Sequence, residues 1–399
     1  MTTASPAQQY SPDPNVVERT AVHFLQRRNR RATANLHALA PDEIKAHRGV
    51  VRSAVLWAVA AGTLSGAIIG GMEVFVRRGL LNGTGDAAWS EHWPYWVAFY
   101  AVAAVVSTIE ILFLYWNALR ATAALSRIGG VALDRNGHAA LVSTGIARAA
   151  LEFPSPRNHI YGIDPYARVP GWRLTAQAIL YKTKVGVSSL VVRVLARRVL
   201  GRMILRGLIP LLTVPLYAVW NAIITWRVMR EAKTRVFGPF QVEELVRRLS
   251  AEHAQLRFEV STLILHGAGE AMVRGCDAHP NYAYLLSRLI EKLGVEQTTV
   301  QLNWPRQRQV LETLNERERT LVLDVLTLAC LLGSKVRKSH KEFLGEVHAA
   351  FGLRFDAHAL NPLRRKLMDG ACIARADLDA VRNAPRREDA KELASERRR

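Results

Sequence analysis

Two carboxylates, Glu73 and Glu110, stand in stretches otherwise free of charge. An acid inside an apolar run has to be paired or functional, and within a bilayer it marks an ion path or a structural hydrogen bond. Glu73 precedes Arg77 by one helical turn, which predicts an ion pair at the end of its helix. For Glu110 two roles stand: a contact to a Ser, Thr or basic residue of a third apolar stretch, or a group lining a conducting path. Cys276 and His279 form a C-x-x-H, with His253 and His266 upstream, but zinc takes four ligands at tighter spacing, so these read as core or surface residues. "HGAGEAMVRG" follows no strand and lacks the Lys-Ser/Thr of a phosphate loop. No Gly-x-Ser-x-Gly, zincin or kinase signature is present. The expectation is a protein without catalysis, cofactor or metal.

The elements that carry the two acids are two apolar runs. Ser53–Val76 has 24 residues and one charge. At ~1.5 Å per residue this is roughly 36 Å of helix, against a hydrocarbon core of ~30 Å. In water each interior Gly costs about 1 kcal/mol relative to Ala. In lipid, Gly62, Gly66 and Gly70 at four-residue spacing line one face where another helix can approach closely. The second run, Tyr95–Trp116, opens among Trp89, Trp93 and Trp96 and closes on Tyr115 and Trp116, as interfacial aromatic belts do. Measured along their helices, Glu73 is ~31 Å from Arg52 and Glu110 about 24 Å from Pro94, so the two acids are not expected to touch.

Charge sets the orientation. Arg27, Arg28, Arg30, Arg31, Lys45, Arg48 and Arg52 precede the first run, and Arg120, Arg127 and Arg135 follow the second. The positive-inside rule then places both flanks in the cytoplasm and the connecting loop outside, with Arg77 and Arg78 as exceptions. Of the formal charge of +20, residues 182–235 supply half, with eleven basic residues against the single Glu231. Within them Leu208–Trp226 is uncharged and holds Pro210 and Pro215, which predicts a kinked, membrane-associated hairpin on the cytoplasmic face rather than a third span. Arg198, Arg202 and Arg206 form a four-residue stripe suited to anionic headgroups. Nucleic acid could also answer such charge, but would leave the two belted runs unexplained.

The remainder reads as helical. Residues 117–181 continue the second run and then form a linker rich in Pro and Gly. "YAYLLSRLIEKLG" stops on Gly294, and Asn315 with Glu318, Ser339 with Glu342, and Asp356 read as helix starts. Cys276, Cys330 and Cys372 lie far apart, which fits a reducing compartment. The organisation expected is a disordered leader (1–15), a basic helical segment (16–52), a transmembrane hairpin (53–116), helix and linker (117–181), basic Pro-kinked helices (182–239), a helical domain (240–370) and a charged tail (371–399).

"LNERERTLVLDVLTLACLLGSKVRKSHKEFLGEVHAAFGL", residues 314–353, resembles the TerB-like helical domain associated with tellurite resistance. Members usually carry Asp-Gly in the turn and a Glu shortly after, acids implicated in metal binding. The positions here are Gly333, Ser334 and His340, so the resemblance implies the fold without the metal. "GLIPLLTVPLYAVWNAIITWRVMREA" is similar to the apolar hairpin of EcsC-like bacterial proteins, and the whole resembles uncharacterised bacterial multi-pass proteins that join these parts. The expectation is therefore an all-α multi-pass protein of the bacterial inner membrane, both termini cytoplasmic. It would act as an adaptor or sensor, in envelope stress, with lipid, a protein partner or a second copy as its company. The alternative is an oligomeric small transporter or channel using Glu110.

Overall fold

The structure, a computed structural model, describes residues 15–29, 35–76, 89–133, 137–153, 159–176, 209–252, 256–294 and 302–382. Among these it is all-helical, the only pairing of extended backbone being an isolated bridge between Ile160 and Ile163. The helices are α1 (Val16–Asn29), α2 (Pro41–Phe75), α3 (Trp89–Ile128), α4 (Gly137–Ala150), α5 (Ile209–Glu252), α6 (Phe258–Gly275), α7 (Pro280–Leu293), α8 (Trp304–Val310), α9 (Glu316–Leu331), α10 (Lys338–Ala350), α11 (Leu360–Met368) and α12 (Arg375–Arg382).

The chain divides into two compact units. The first, Ala46–Ala124 with Val169–Arg230, is here called the apolar unit. Within α2 and α3 two segments, Pro41–Phe75 and Trp93–Ile128, are long and apolar enough to cross a membrane. Ile69, Val76, Phe99 and Ala103 form a buried cluster where α2 and α3 run antiparallel. The outward faces are large and apolar: Leu56, Trp57, Leu64 and Ile68 of α2, Val105, Ile109 and Leu112 of α3, and Val219, Ile223 and Trp226 of α5 are all exposed.

The segment expected to be a Pro-kinked hairpin is instead the start of one continuous 44-residue helix, α5. The correction has a local cause. Pro210 is the second residue of α5, where its missing N–H would have had no partner. Pro215 removes a bond only to a carbonyl of the first turn. A helix tolerates both.

The second unit, Met1–Lys45 with Leu125–Arg168 and Glu231–Arg399, is the polar unit. Its centre is α6, with Val260, Leu263, Ile264, Ala268, Ala271 and Met272 fully or almost fully buried. A side chain at Gly267 would collide with Leu326, its Cβ 2.4 Å from a Leu326 methyl, so this glycine sets how near α9 can pack. The glycines of "HGAGEAMVRG" therefore serve helix packing. Pro280 opens α7 behind the cap His279, and Gly294 closes it in the left-handed region (φ 61°). Asn315 and Glu318 form the expected capping box of α9. Two expected starts differ. α10 begins after Arg337, whose N–H donates to His340 Nδ1 (3.3 Å), so His340 rather than Glu342 closes the cap. Asp356 accepts from the His358 N–H (2.7 Å) in a turn, and α11 begins only at Leu360.

Boundaries shift as well. Ile160, Tyr161 and Ile163 are buried, which makes this stretch of the expected linker part of the packed polar unit. The unit also continues past 370, because Leu378 and Val381 of α12 are buried. Residues 1–14, most of the expected leader, and 383–399 of the expected tail lie outside the described residues.

Candidate functional sites in the two units

In the apolar unit α2 and α5 meet almost backbone to backbone. A Cβ placed on Gly62 would stand 2.7 Å from the Tyr217 carbonyl oxygen and 2.7 Å from Asn221 Nδ2, and one on Gly66 would stand 3.0 Å from Val214 Cα. Gly70 is buried on the same face. The room left by Gly62 is where the Asn221 side chain passes. Its Nδ2 donates to Glu110 Oε1 at 2.5 Å, so α2, α3 and α5 converge on one polar contact. Glu110 and Asn221 are 8% and 4% exposed. Glu110 thus finds its partner on the third apolar stretch, as expected, but the partner is an amide rather than a hydroxyl or a base.

A second amide repeats the device. Asn117 Nδ2 donates to the Ala54 carbonyl (2.8 Å), tying α3 to α2. Both asparagines occur as Trp-Asn-Ala, at 116–118 and 220–222. The signal was available, because an Asn within an apolar run needs a partner. Glu73 is buried, and Arg77, expected to pair with it, lies outside the described residues. So do Arg198, Arg202 and Arg206. At the ends near the basic flanks, Arg120 lies over the Trp116 ring (5.4 Å) and Arg230 over the Trp226 ring (5.7 Å), contacts that hold each tryptophan beside a cation.

In the polar unit Cys276, His279 and His266 make contacts within the fold, and His253 lies outside the described residues. Cys276 caps α6 in the left-handed region (φ 44°). His279 accepts from the Asn281 N–H through Nδ1 (3.2 Å) and turns Nε2 toward Glu231 Oε1 (3.2 Å). Burial would raise the Glu231 pKa, but Arg235 and His279 overcome it and hold the carboxyl far below the usual carboxylate range. Ser334 stands in the turn between α9 and α10. Its N–H donates to Asp277 Oδ2 (3.0 Å) and its hydroxyl lies 3.3 Å from Glu231 Oε1.

His340 sits 2.9 Å from the Ala271 carbonyl through Nε2, and burial pushes its pKa down to about 4. With both ring nitrogens engaged it is a neutral tie between α6 and α10. Among the described residues no group of three or more His, Cys, Asp or Glu could hold a metal ion.

Sequence reasoning missed the buried arginines. Arg148 Nε donates to Glu18 Oε1 (2.9 Å) across 130 positions, and Arg364 donates to Thr234 Oγ1 (3.0 Å), the Ser334 carbonyl (3.1 Å) and the Leu331 carbonyl. Their partners are distant in sequence, and no local pattern announces them. Comparison of the chain with protein-family models, with curated proteins and with solved structures finds no match.

Proposed function

We propose that this protein is a membrane-anchored adaptor or sensor of the bacterial inner membrane, with the polar unit and both termini in the cytoplasm. The observation that carries this is the exposed apolar surface of the unit formed by α2, α3 and the start of α5. In water the exposure of Leu56, Trp57, Leu64, Ile109, Leu112 and Trp226 together has no compensation, whereas hydrocarbon removes it. The polar unit, with its network of buried ion pairs and caps, is the part that would recognise a protein partner or a second copy. Arg198, Arg202 and Arg206 would meet anionic lipid. The TerB-like and EcsC-like resemblances belong to this proposal, as does a role in envelope stress.

The test is sidedness. With single cysteines at Gly85 and Ser395 in a variant lacking the others, Gly85→Cys should react with an impermeant maleimide on intact spheroplasts, and Ser395→Cys only after permeabilisation. Release of the protein from membranes by alkaline carbonate would refute the anchor.

The ionisable Glu110 among apolar helices supports a second reading, an oligomeric transporter or channel. Glu110→Gln should then abolish ion flux in reconstituted vesicles while leaving the fold intact. Unchanged flux would leave Glu110 as a structural contact.

A further inference from the structure

We infer that residues 209–226 cross the bilayer as a third helix, antiparallel to α2 and parallel to α3. Ile209 then lies at the membrane face opposite Arg52, Arg120 and Arg230. This rests on the membrane reading above and goes beyond it, since the basic flanks and the two prolines argued for a surface hairpin.

Register carries the argument. Gly66 faces Val214, while Gly62 faces Tyr217 and Asn221, so α5 advances as α2 retreats. Ala54 is level with Asn117, and Ile69 packs in the cluster that holds Ala103, so α2 and α3 are antiparallel in the same way. Glu110 opposite Asn221 fixes α3 and α5 at one level. Val214 stands with Gly66, fourteen residues beyond Arg52, or roughly 21 Å along the helix. Ile209 lies five residues farther, about 28 Å from the Arg52 level, which is close to the full ~30 Å of a hydrocarbon core. A hairpin resting on the headgroups would keep both ends of the segment within a few Å of Arg52.

The faces of the helix agree. Tyr217, Asn221 and Thr225, spaced by four, are buried against the unit. Val219, Ile223 and Trp226 form the outward stripe and are 56%, 41% and 50% exposed. Neither stripe carries a charge. A helix lying in the plane of the interface needs one strongly polar face in water, and 209–226 has none. Both stripes suit a helix with protein on one side and acyl chains on the other.

Two readouts on the full-length protein test this. Cys276 and Cys372 are replaced by Ser, Cys330 is kept because it is buried, and single cysteines are placed at Gly85, Gly207 and Lys338. Gly207→Cys should label with impermeant maleimide from the same face as Gly85→Cys and opposite Lys338→Cys. Labelling of Gly207→Cys from the Lys338 face, with Gly85 on the other, overturns the third span but leaves the anchor standing. Labelling of Gly85 and Lys338 from one face overturns the crossing parallel to α3 and, with it, the cytoplasmic placement of the polar unit. Independently of reagent access, nitroxides at Ile109 and Val219 in vesicles should report the same depth by oxygen and aqueous-nickel relaxation. A headgroup-level depth for Val219 beside a buried Ile109 overturns the inference.

Discussion

Buried carboxylates keep different company in the two units. In the apolar unit Glu110 meets the neutral amide of Asn221. In the polar unit Glu18 meets Arg148, Glu270 meets Arg274 and Arg168, and Glu318 meets Arg257. A guanidinium buried beside a carboxylate is strong in Coulomb terms but expensive to desolvate, and it is retained where the surrounding fold supplies further donors and acceptors. Glu18 illustrates this, since it also accepts from the Asn15 N–H (3.1 Å) at the start of α1. An amide brings no second charge to desolvate. A surface of apolar side chains around it is then compatible with hydrocarbon, where hydrogen bonds between helices and close glycine contacts hold a bundle together.

The contrast breaks most visibly at Glu18. Glu18→Ala leaves Arg148 buried at 9% exposure with its charge unanswered, and should destabilise α1 and α4 by about 3–5 kcal/mol. Hydrogen exchange of the full chain in detergent should show those two helices opening while α2 and α3 keep their protection. A loss under about 1 kcal/mol would mean that the pair is not a keystone of the polar unit.

Acid should act on the same unit. His340 has its folded pKa pushed down to about 4, by burial, from 6.5 when unfolded, so the unfolded chain binds the extra proton. Its contribution is intact above pH 6.5 and is lost progressively as pH falls toward 4, an order of 3 kcal/mol at most. His266 and His348 are shifted down by burial in the same direction, while the more exposed His37, raised by the Asn35 carbonyl and Glu43, opposes them weakly. Carboxylates held low, such as Glu231 and Glu318, lose their contribution only below the ordinary carboxylate range and leave the higher window to the histidines. Exchange protection of α6 and α10 should decline between pH 6.5 and 4.5, and His340→Gln should flatten that slope. A pH-independent profile in the parent protein would contradict the buried, neutral His340.

In the apolar unit the larger effect belongs to packing. Gly62→Leu forces a side chain into the Tyr217 backbone and against Asn221. The loss should be about 1–3 kcal/mol, read as a lower melting temperature of α2 and α5 in detergent with α6 and α9 unchanged. Wild-type behaviour would mean that α2 and α5 do not pack through the glycine face.

What the sequence made legible follows from range. Two apolar helices, the glycine face, the stop at Gly294 and the Asn315–Glu318 box each depend on neighbours within a turn or on composition over a run. The Pro- and Gly-rich end of 117–181 read as a linker because Pro and Gly are local signals, whereas the burial of Ile160, Tyr161 and Ile163 comes from distant helices. Ser339 and Asp356 had the right residue types for caps, but the Ser339 hydroxyl donates to the Arg274 carbonyl and Asp356 accepts from the His358 N–H in a turn that precedes α11. At the candidate site Glu110 was legible as a lone acid. Its partner, 111 positions away, was not.

That pair supplies the smallest and sharpest test. Single changes at Glu110 or Asn221 mix the lost hydrogen bond with cavity and solvation effects, so the informative quantity is the coupling from Glu110→Leu, Asn221→Leu and the double variant. Hydrogen bonds between membrane helices measure about 0.6 kcal/mol on average and about 1.7 at most, well below the 3–5 kcal/mol of breaking a buried ion pair. A coupling near 1 kcal/mol in detergent unfolding is the expected outcome, with the double variant no worse than either single one, because two leucines leave no polar group unanswered. Should the coupling instead approach about 3 kcal/mol, the Glu110–Asn221 contact would count for as much as a buried ion pair, and the contrast between the two units would fail.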